Sequence, residues 1–337
     1  MTVASAQTIE IIDGAEEVDE SARLAVRGMH LSIDNTVILD DLFFEVGVGE
    51  ILGILGPNGS GKSSLLRCIT GIWRGDRGTV WLDGSRVDSN DRRLRAESGV
   101  VFQDPSLDDH LTARQNLILG AALFGINGRE AKKRAQELLD FMELSARAED
   151  LTKTFSGGMR RRLELARALI HSPKILFLDE PSTGLDPVAF DKLWHRLEAL
   201  RKIQGLTIVV ATHRADEAAK CDRLIVMNRG HVVANDSPGA LLGEDAEQVI
   251  ELQAADVGRV EVLLREELKL NPRLVGDRVE VEVEDAHQWI PRIVESFPPE
   301  TFQSVALRKP SLSDAFFKLT GRELTDDISD EEGIIEA

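Results

Sequence analysis

Residues 56 to 64 read GPNGSGKSS, and no other stretch constrains the fold of this 337-residue chain as tightly. Before it, Ile51, Leu52, Ile54 and Leu55 have the apolar continuity of a buried strand; after it, Ser63 to Ile69 read as a helix beginning. A glycine-rich joint between such elements can turn successive backbone N–H groups inward, at the positive end of the helix, where an anion is favoured. Every position has a place in that cradle. Gly56, Pro57, Asn58, Gly59, Ser60, Gly61 and Ser64 shape the loop, Lys62 brings a charge to β and γ phosphates, and Ser63 offers a hydroxyl to Mg²⁺, a hard ion that prefers oxygen. The run predicts a bound nucleoside triphosphate.

A second constellation, KILFLDEPSTGLD from Lys174 to Asp186, is an apolar strand ending in two acids. Asp179, at the strand's end, is placed to hold Mg²⁺ through water, and Glu180 to polarise the water that attacks a γ phosphate. An acidic turn after a buried strand would explain each acid separately but not their combination with a phosphate cradle.

Two more elements lie between these: Gln103 in VVFQDPS, after another apolar strand, and FSGGMRRRLELARAL from Phe155 to Leu169. The cradle, Gln103, Ser156-Gly157-Gly158, Asp179-Glu180, Ser182 to Asp186 and Thr212-His213 occur in the order and spacing of an ATP-binding-cassette ATPase, which the chain resembles across residues 23 to 237. The resemblance implies a phosphate-loop α/β cassette with an N-terminal antiparallel β portion and a helical insert over about 104 to 167, where the family docks its membrane partner. It implies ATP and Mg²⁺ as ligands. It also implies a two-body site in which Ser156, Gly157 and Gly158 of one copy close over the γ phosphate held by the other copy's Lys62. By the same resemblance, His213 contacts the γ phosphate, Asp186 reports across the dimer, and Gln103 touches Mg²⁺ and the attacking water. The chemistry of the SGG run agrees, since a helix N-terminus with a hydroxyl suits an anion. Two departures stand out. Ile33 takes the place where the family stacks a tyrosine on adenine, and the chain has no tyrosine; Met159 and Phe155 replace the glutamine and leucine flanking the signature.

Composition narrows the function classes. The net charge of −18 is concentrated in the ends, because residues 1 to 22 carry six acids and no base and residues 325 to 337 do the same. Both ends are expected to be solvated, with Asp326 to Glu332 a candidate docking tail. An acidic balance argues against nonspecific nucleic-acid binding. Arg160, Arg161, Arg162 and Arg167 spread around a helix rather than lining one face, so they are expected to be solvated and to balance phosphate. Too few residues separate Lys62 from Ser156 for the long coiled coil of chromosome-organising relatives. The start, MTVASAQTIE, shows no basic patch followed by an apolar run, and the apolar stretch Leu117 to Ile126 is too short to span a bilayer. Any membrane role is therefore expected to be borrowed from a partner. Cys68 and Cys221 lie in apolar segments and read as reduced core residues.

After Asn228-Arg229-Gly230 the pattern changes, and Ser237-Pro238-Gly239 reads as a breaker opening a linker over 238 to 248. A small α+β domain is expected over 249 to 321, with strands at Val249 to Leu252, at Val279, Val281 and Val283, and at Phe302 to Leu307. Helices are expected at Asp256 to Leu268, Ala286 to Phe297 and Ser311 to Leu319. No nucleophile, metal cluster or phosphate loop accompanies it, and bracing the dimer is its expected role; an acidic tail follows from 322. LRKPSLSDAFFKLTGREL, from Leu307 to Leu324, resembles the end of drug-exporter ATPases of the ABC-2 type, whose membrane subunit is a separate chain. The expected function is thus an exporter's ATPase subunit at the cytoplasmic face of the inner membrane, dimeric, carrying a drug, lipid or polysaccharide out. A soluble cassette regulator of ribosomes, iron–sulfur assembly or repair is the alternative, and a cassette that binds ATP only as a structural ligand is a third.

Overall fold

The computed structural model describes residues 21–104, 106–243, 248–298 and 300–324. The segment Asp326 to Glu332 and residues 1–20 lie outside the described residues.

The chain opens with a hairpin of β1 (Ala22–Ile33) and β2 (Thr36–Gly47). Its two-residue turn is Asp34 and Asn35, both left-handed at φ 49 and 65, the pair of conformations that matches the twist of antiparallel strands. Next come β3 (Ile51–Leu55), α1 (Lys62–Ile69), β4 (Arg77–Leu82), β5 (Ser85–Val87), α2 (Arg92–Glu97) and β6 (Ser98–Val101). Strands β2, β1, β4 and β5 form an antiparallel sheet in that order. Three helices follow, α3 (Ala113–Leu123), α4 (Gly128–Phe141) and α5 (Gly157–Leu169). A capping box of Thr112 and Gln115 starts α3, whose apolar run had looked too short for a membrane span.

The chain then returns through β7 (Ile175–Asp179), α6 (Pro187–Gln204), β8 (Thr207–Thr212), α7 (Ala215–Ala218), β9 (Arg223–Asn228) and β10 (His231–Asp236). A six-stranded sheet results, in the order β10-β9-β3-β8-β7-β6, parallel except for the β9–β10 pair. Strands β3, β7 and β8 are buried on both faces, which is why they read as unbroken apolar runs. Alternate side chains feed two cores. Ile51, Leu55, Leu176, Leu178, Ile208 and Val210 pack with the helices α3 to α6, while Leu52, Ile54, Phe177, Val209 and Ala211 pack with α1 and the antiparallel sheet. Register brings Leu55 beside Thr212 and Asp179 beside Ala211, so the loops leaving β3, β7 and β8 emerge together at one carboxyl edge, the place where open α/β sheets bind ligands.

Where a breaker and linker were expected, Ser237 instead caps a short helix, α8 (Pro238–Leu242). Its Oγ accepts the Ala240 N–H at 3.2 Å, and proline occupies the first turn, where its missing N–H costs nothing. The last region contains β11 (Gln248–Ala254), α9 (Val257–Glu266), β12 (Pro272–Val275), β13 (Arg278–Val283), α10 (Ala286–Glu295), β14 (Phe302–Arg308) and α11 (Leu312–Thr320). An antiparallel sheet in the order β12-β13-β11-β14 carries α9 and α10 on one face. Strand β12, four residues headed by proline, was not anticipated; proline is tolerated there because β12 is an edge strand. The final helix leaves this layer, and Leu312 and Phe316 of α11, with Leu324, join the same core as α3 to α6.

Candidate nucleotide-hydrolysis site

The cradle is packed too tightly for any side chain at its first position. A Cβ on Gly56 would stand 2.4 Å from the Met227 carbonyl oxygen, and Gly61, at φ 101, holds a conformation that L-residues avoid as α1 begins. Lys62 is buried, and its Nζ donates to the Gly56 and Pro57 carbonyls at 2.8 Å each. Burial pulls its pKa below the usual lysine value, against the opposing pull of Glu180 and Asp179. Its hydrogen-bond partners are neutral carbonyls, which compensate a buried cation poorly, so an anion in the loop would be favoured. The Ser60 hydroxyl is buried without a hydrogen-bond partner among the described residues, another group with spare capacity for a ligand.

Opposite the loop, Ser63 Oγ donates to Asp179 Oδ1 at 3.1 Å. Asp179 is 1% exposed; burial raises its pKa, the Ser63 hydrogen bond lowers it, and neighbouring Glu180 raises it again. A buried carboxylate and a hydroxyl side by side, with no arginine or lysine bonded to the carboxylate among the described residues, form an oxygen pair suited to a hard cation. Glu180 follows in a left-handed conformation at φ 46, unusual for a side-chain-bearing residue, with its N–H held by the Ala211 carbonyl at 2.9 Å. That turn points its carboxyl at the end of β8, where Oε1 lies 2.9 Å from His213 Nδ1, and Thr183 Oγ1 donates to Oε2 at 3.2 Å. Lys62, Ser63, Asp179, Glu180 and His213 therefore share one corner. Gln103 does not join them; its side chain is exposed just past β6, and no hydrogen bond links it to Ser63 or Asp179 among the described residues.

The signature run lies elsewhere. Ser156 caps α5, its Oγ accepting the Met159 N–H at 3.3 Å, and Asp186 caps α6 by accepting the Ala189 N–H at 2.9 Å. These two helix starts border a cavity of about 610 Å³ lined by Ser156, Gly157, Gly158 and Asp186 among others, and no residue of the 56–64 loop lines it. Added Cβ atoms at Gly157 would meet open space, so this glycine presents bare backbone N–H to whatever enters.

The arginines of α5 overturn the expectation of a solvated helix. Arg161 donates to the carbonyls of Phe102 at 2.7 Å, Asp179 at 2.7 Å and Pro181 at 3.0 Å, and pairs with Glu164 at 3.1 Å. Arg162 reaches the Met142 carbonyl at 2.9 Å, Arg160 pairs with Asp109 at 2.7 Å, and Arg167 bonds Ser106. Arg161 thereby ties the segment before Gln103 to the segment carrying Asp179, a positioning role that sequence reasoning missed. Its only signal was an arginine five residues into the α5 run, and its partners are remote in sequence.

A family model described as ABC transporter matches residues 39–183. The Nod factor export ATP-binding protein I of Burkholderia thailandensis is 39% identical over 298 residues, covering 87% of this chain and 95% of that protein. Its counterpart in Mesorhizobium japonicum is 36% identical over 313 residues, covering 91% of this chain and 89% of that protein. The chain belongs to the ABC transporter family. Among solved structures it is similar to cbiO1 from Clostridium perfringens, part of the ABC transporter complex cbiONQ, at TM-score 0.62 and 27% identity over 74% of this chain and 97% of that one. It is also similar to the dimeric post-hydrolysis structure of the ATP-binding cassette MJ0796 bound to ADP and Pi, at TM-score 0.59 and 29% identity over 64% of this chain and 98% of that one. The cassette is the ATP-hydrolysing subunit of an ABC exporter, and its energy source is ATP. No helix among the described residues is long and apolar enough to cross a membrane.

Proposed function

We propose that this cassette works as a homodimer beneath separate membrane-spanning subunits, at the cytoplasmic face of the inner membrane, and exports a drug, lipid or polysaccharide. The relatives are named for export of Nod factor, and the match runs through the C-terminal α+β region as well as the cassette, which favours an exporter over a soluble regulator. The observation that carries the mechanism is the Glu180–His213 contact at 2.9 Å, beside Lys62 and the Ser63–Asp179 pair.

In this reading the loop N–H groups and Lys62 bind the triphosphate, and binding relieves the buried, carbonyl-solvated charge of Lys62. Ser63 and Asp179 would hold Mg²⁺, with Gln103 a further candidate ligand, and the ion would supply charge neutralisation for the phosphate oxygens. Glu180 orients and polarises water as general base, while His213 holds Glu180 and reaches the γ phosphate. Ser156, Gly157 and Gly158 of the second copy complete the anion site through α5's N-terminus, with Asp186 beside them. Closure is available only to the ATP-bound pair, so ATP shifts the membrane partner's conformation and hydrolysis releases it.

Glu180→Gln removes the base and keeps the shape. It is expected to lower kcat at least about a hundredfold while preserving ATP binding, and to trap the closed dimer. Purified with Mg·ATP from detergent-solubilised membranes of its host, it should co-elute with a stoichiometric multi-spanning protein. Wild-type turnover would remove Glu180 from the role of base, and co-elution with ribosomes or soluble proteins alone would favour the regulator.

A further inference from the structure

Glu217, on α7 four residues after His213, has no role in the site described above. Its side chain is fully buried, and neither carboxyl oxygen has a hydrogen-bond partner among the described residues. Ser182, two residues after Glu180, is also fully buried with its hydroxyl unpartnered. The hydroxyls of Ser182 and Thr212 approach the Glu217 carboxyl without forming a well-aligned hydrogen bond to it. The nearby charges do not neutralise it, because Arg214 and Asp216 are bonded to each other at 3.0 and 2.5 Å. Cys221 turns its thiol to the Glu217 carbonyl at 3.8 Å rather than to the carboxyl. Burial outweighs the two hydroxyls and pushes the Glu217 pKa up.

The backbone around this pocket is the backbone of the site. Ser182 O accepts the Leu185 N–H at 3.1 Å, closing the turn between Glu180 and Asp186. Thr212 precedes His213; its Oγ1 accepts the Arg214 N–H at 3.0 Å, and its carbonyl accepts the Gly56 N–H at 3.2 Å. We propose that Glu217 is a positioning residue for ATP hydrolysis: its carboxyl bridges Ser182 and Thr212 in the hydrolytic state, and so holds Glu180 and His213 in register. Orphaned donors and acceptors in one dry pocket are costly until they meet, which biases the two turns toward the arrangement that pairs them.

The test uses the full-length protein with saturating Mg·ATP. Glu217→Leu deletes the orphaned oxygens and fills their space with apolar groups, so its melting temperature should equal or exceed that of the wild type. Its kcat should nevertheless fall about tenfold at unchanged KM for ATP, because chemistry and not binding has lost its alignment. Glu217→Gln, which keeps the shape of the side chain and its capacity to hydrogen-bond both hydroxyls, should recover to within about threefold of wild type. Ser182→Ala should reproduce the kcat loss, and decides the matter if the leucine variant fails to fold. Wild-type kcat in Glu217→Leu or in Ser182→Ala would overturn the proposal, as would a glutamine variant as slow as the leucine one.

Discussion

At Gly56 an added methyl group would meet the Met227 carbonyl oxygen at 2.4 Å and Ser60 Oγ at 2.6 Å. The first of these is backbone of β9 and cannot swing aside, so Gly56→Ala is expected to lower stability by about 1–3 kcal/mol in urea unfolding. It should also weaken ATP binding, because the loop must shift to relieve the contact. Ile33 carries a different expectation. It ends β1 exposed, at 41%, and no tyrosine exists in the chain to stack on adenine. Aromatic stacking on a base contributes roughly 1–3 kcal/mol in single-strand binders, whereas Lys62 and the loop amides grip phosphates whatever the base. Steady-state assays should give kcat/KM values for GTP and ATP within about tenfold of each other, and a thousandfold ATP preference would place a base-reading contact elsewhere. What was legible at this scale was local. Lys62, Asp179 and Glu180 announce themselves because each sits in a contiguous run whose residue order carries the chemistry, while Arg161 binds carbonyls 18, 20 and 59 residues away and no such run marks it.

Helix α11 and strand β13 show what patterning can and cannot say about elements. Val279, Val281 and Val283 alternate with glutamates, and the valines do face the α9–α10 core. The glutamate face is covered, however: Glu280 is buried and pairs with Arg273 and Arg308, and α11 brings Asp314 to the same arginines. Alternation reports which face is apolar, but not whether a later helix covers the other with its own charges. At the centre Asp314 is saturated by Arg308 at 2.7 and 3.0 Å, Arg273 at 2.9 Å, and the Ser311 N–H and hydroxyl at 2.7 and 2.8 Å. These donors, Arg308 foremost, hold its carboxyl well below the usual carboxylate range despite burial. A carboxylate depressed in the folded state stabilises fully above its unfolded value near 3.8, and that contribution is lost as pH falls through the folded one. Asp314→Asn leaves two guanidinium groups short of charge in a partly buried site. It should cost about 3–5 kcal/mol in thermal or chemical unfolding at pH 7. The difference from wild type should shrink as both are measured at pH values progressively below 3.8.

Over the whole molecule, one chain carries the two groups of residues proposed to complete each other, and they lie apart. Lys62, Asp179, Glu180 and His213 cluster where β3, β7 and β8 end, whereas Ser156 to Gly158 and Asp186 border the 610 Å³ cavity that the phosphate loop does not line. Sequence spacing names both halves but cannot say that a single fold keeps them apart, since that follows from α5 standing on the helical layer and the loop on the sheet edge. If two copies complete each other across a twofold axis, their interface contains two equivalent composite sites, each pairing the loop of one chain with the signature of the other. Chains carrying Lys62→Ala and chains carrying Ser156→Arg are each expected to be nearly inactive, because every composite site in either homodimer is broken. Mixed in equal amounts and allowed to exchange, half of the dimers hold one chain of each kind, and each of these assembles one intact site beside one doubly damaged site. ATPase activity should then return to about a quarter of the wild-type value at the same total protein. A mixture no more active than its components would mean that the signature serves the loop of its own chain, which the separation of the two surfaces opposes.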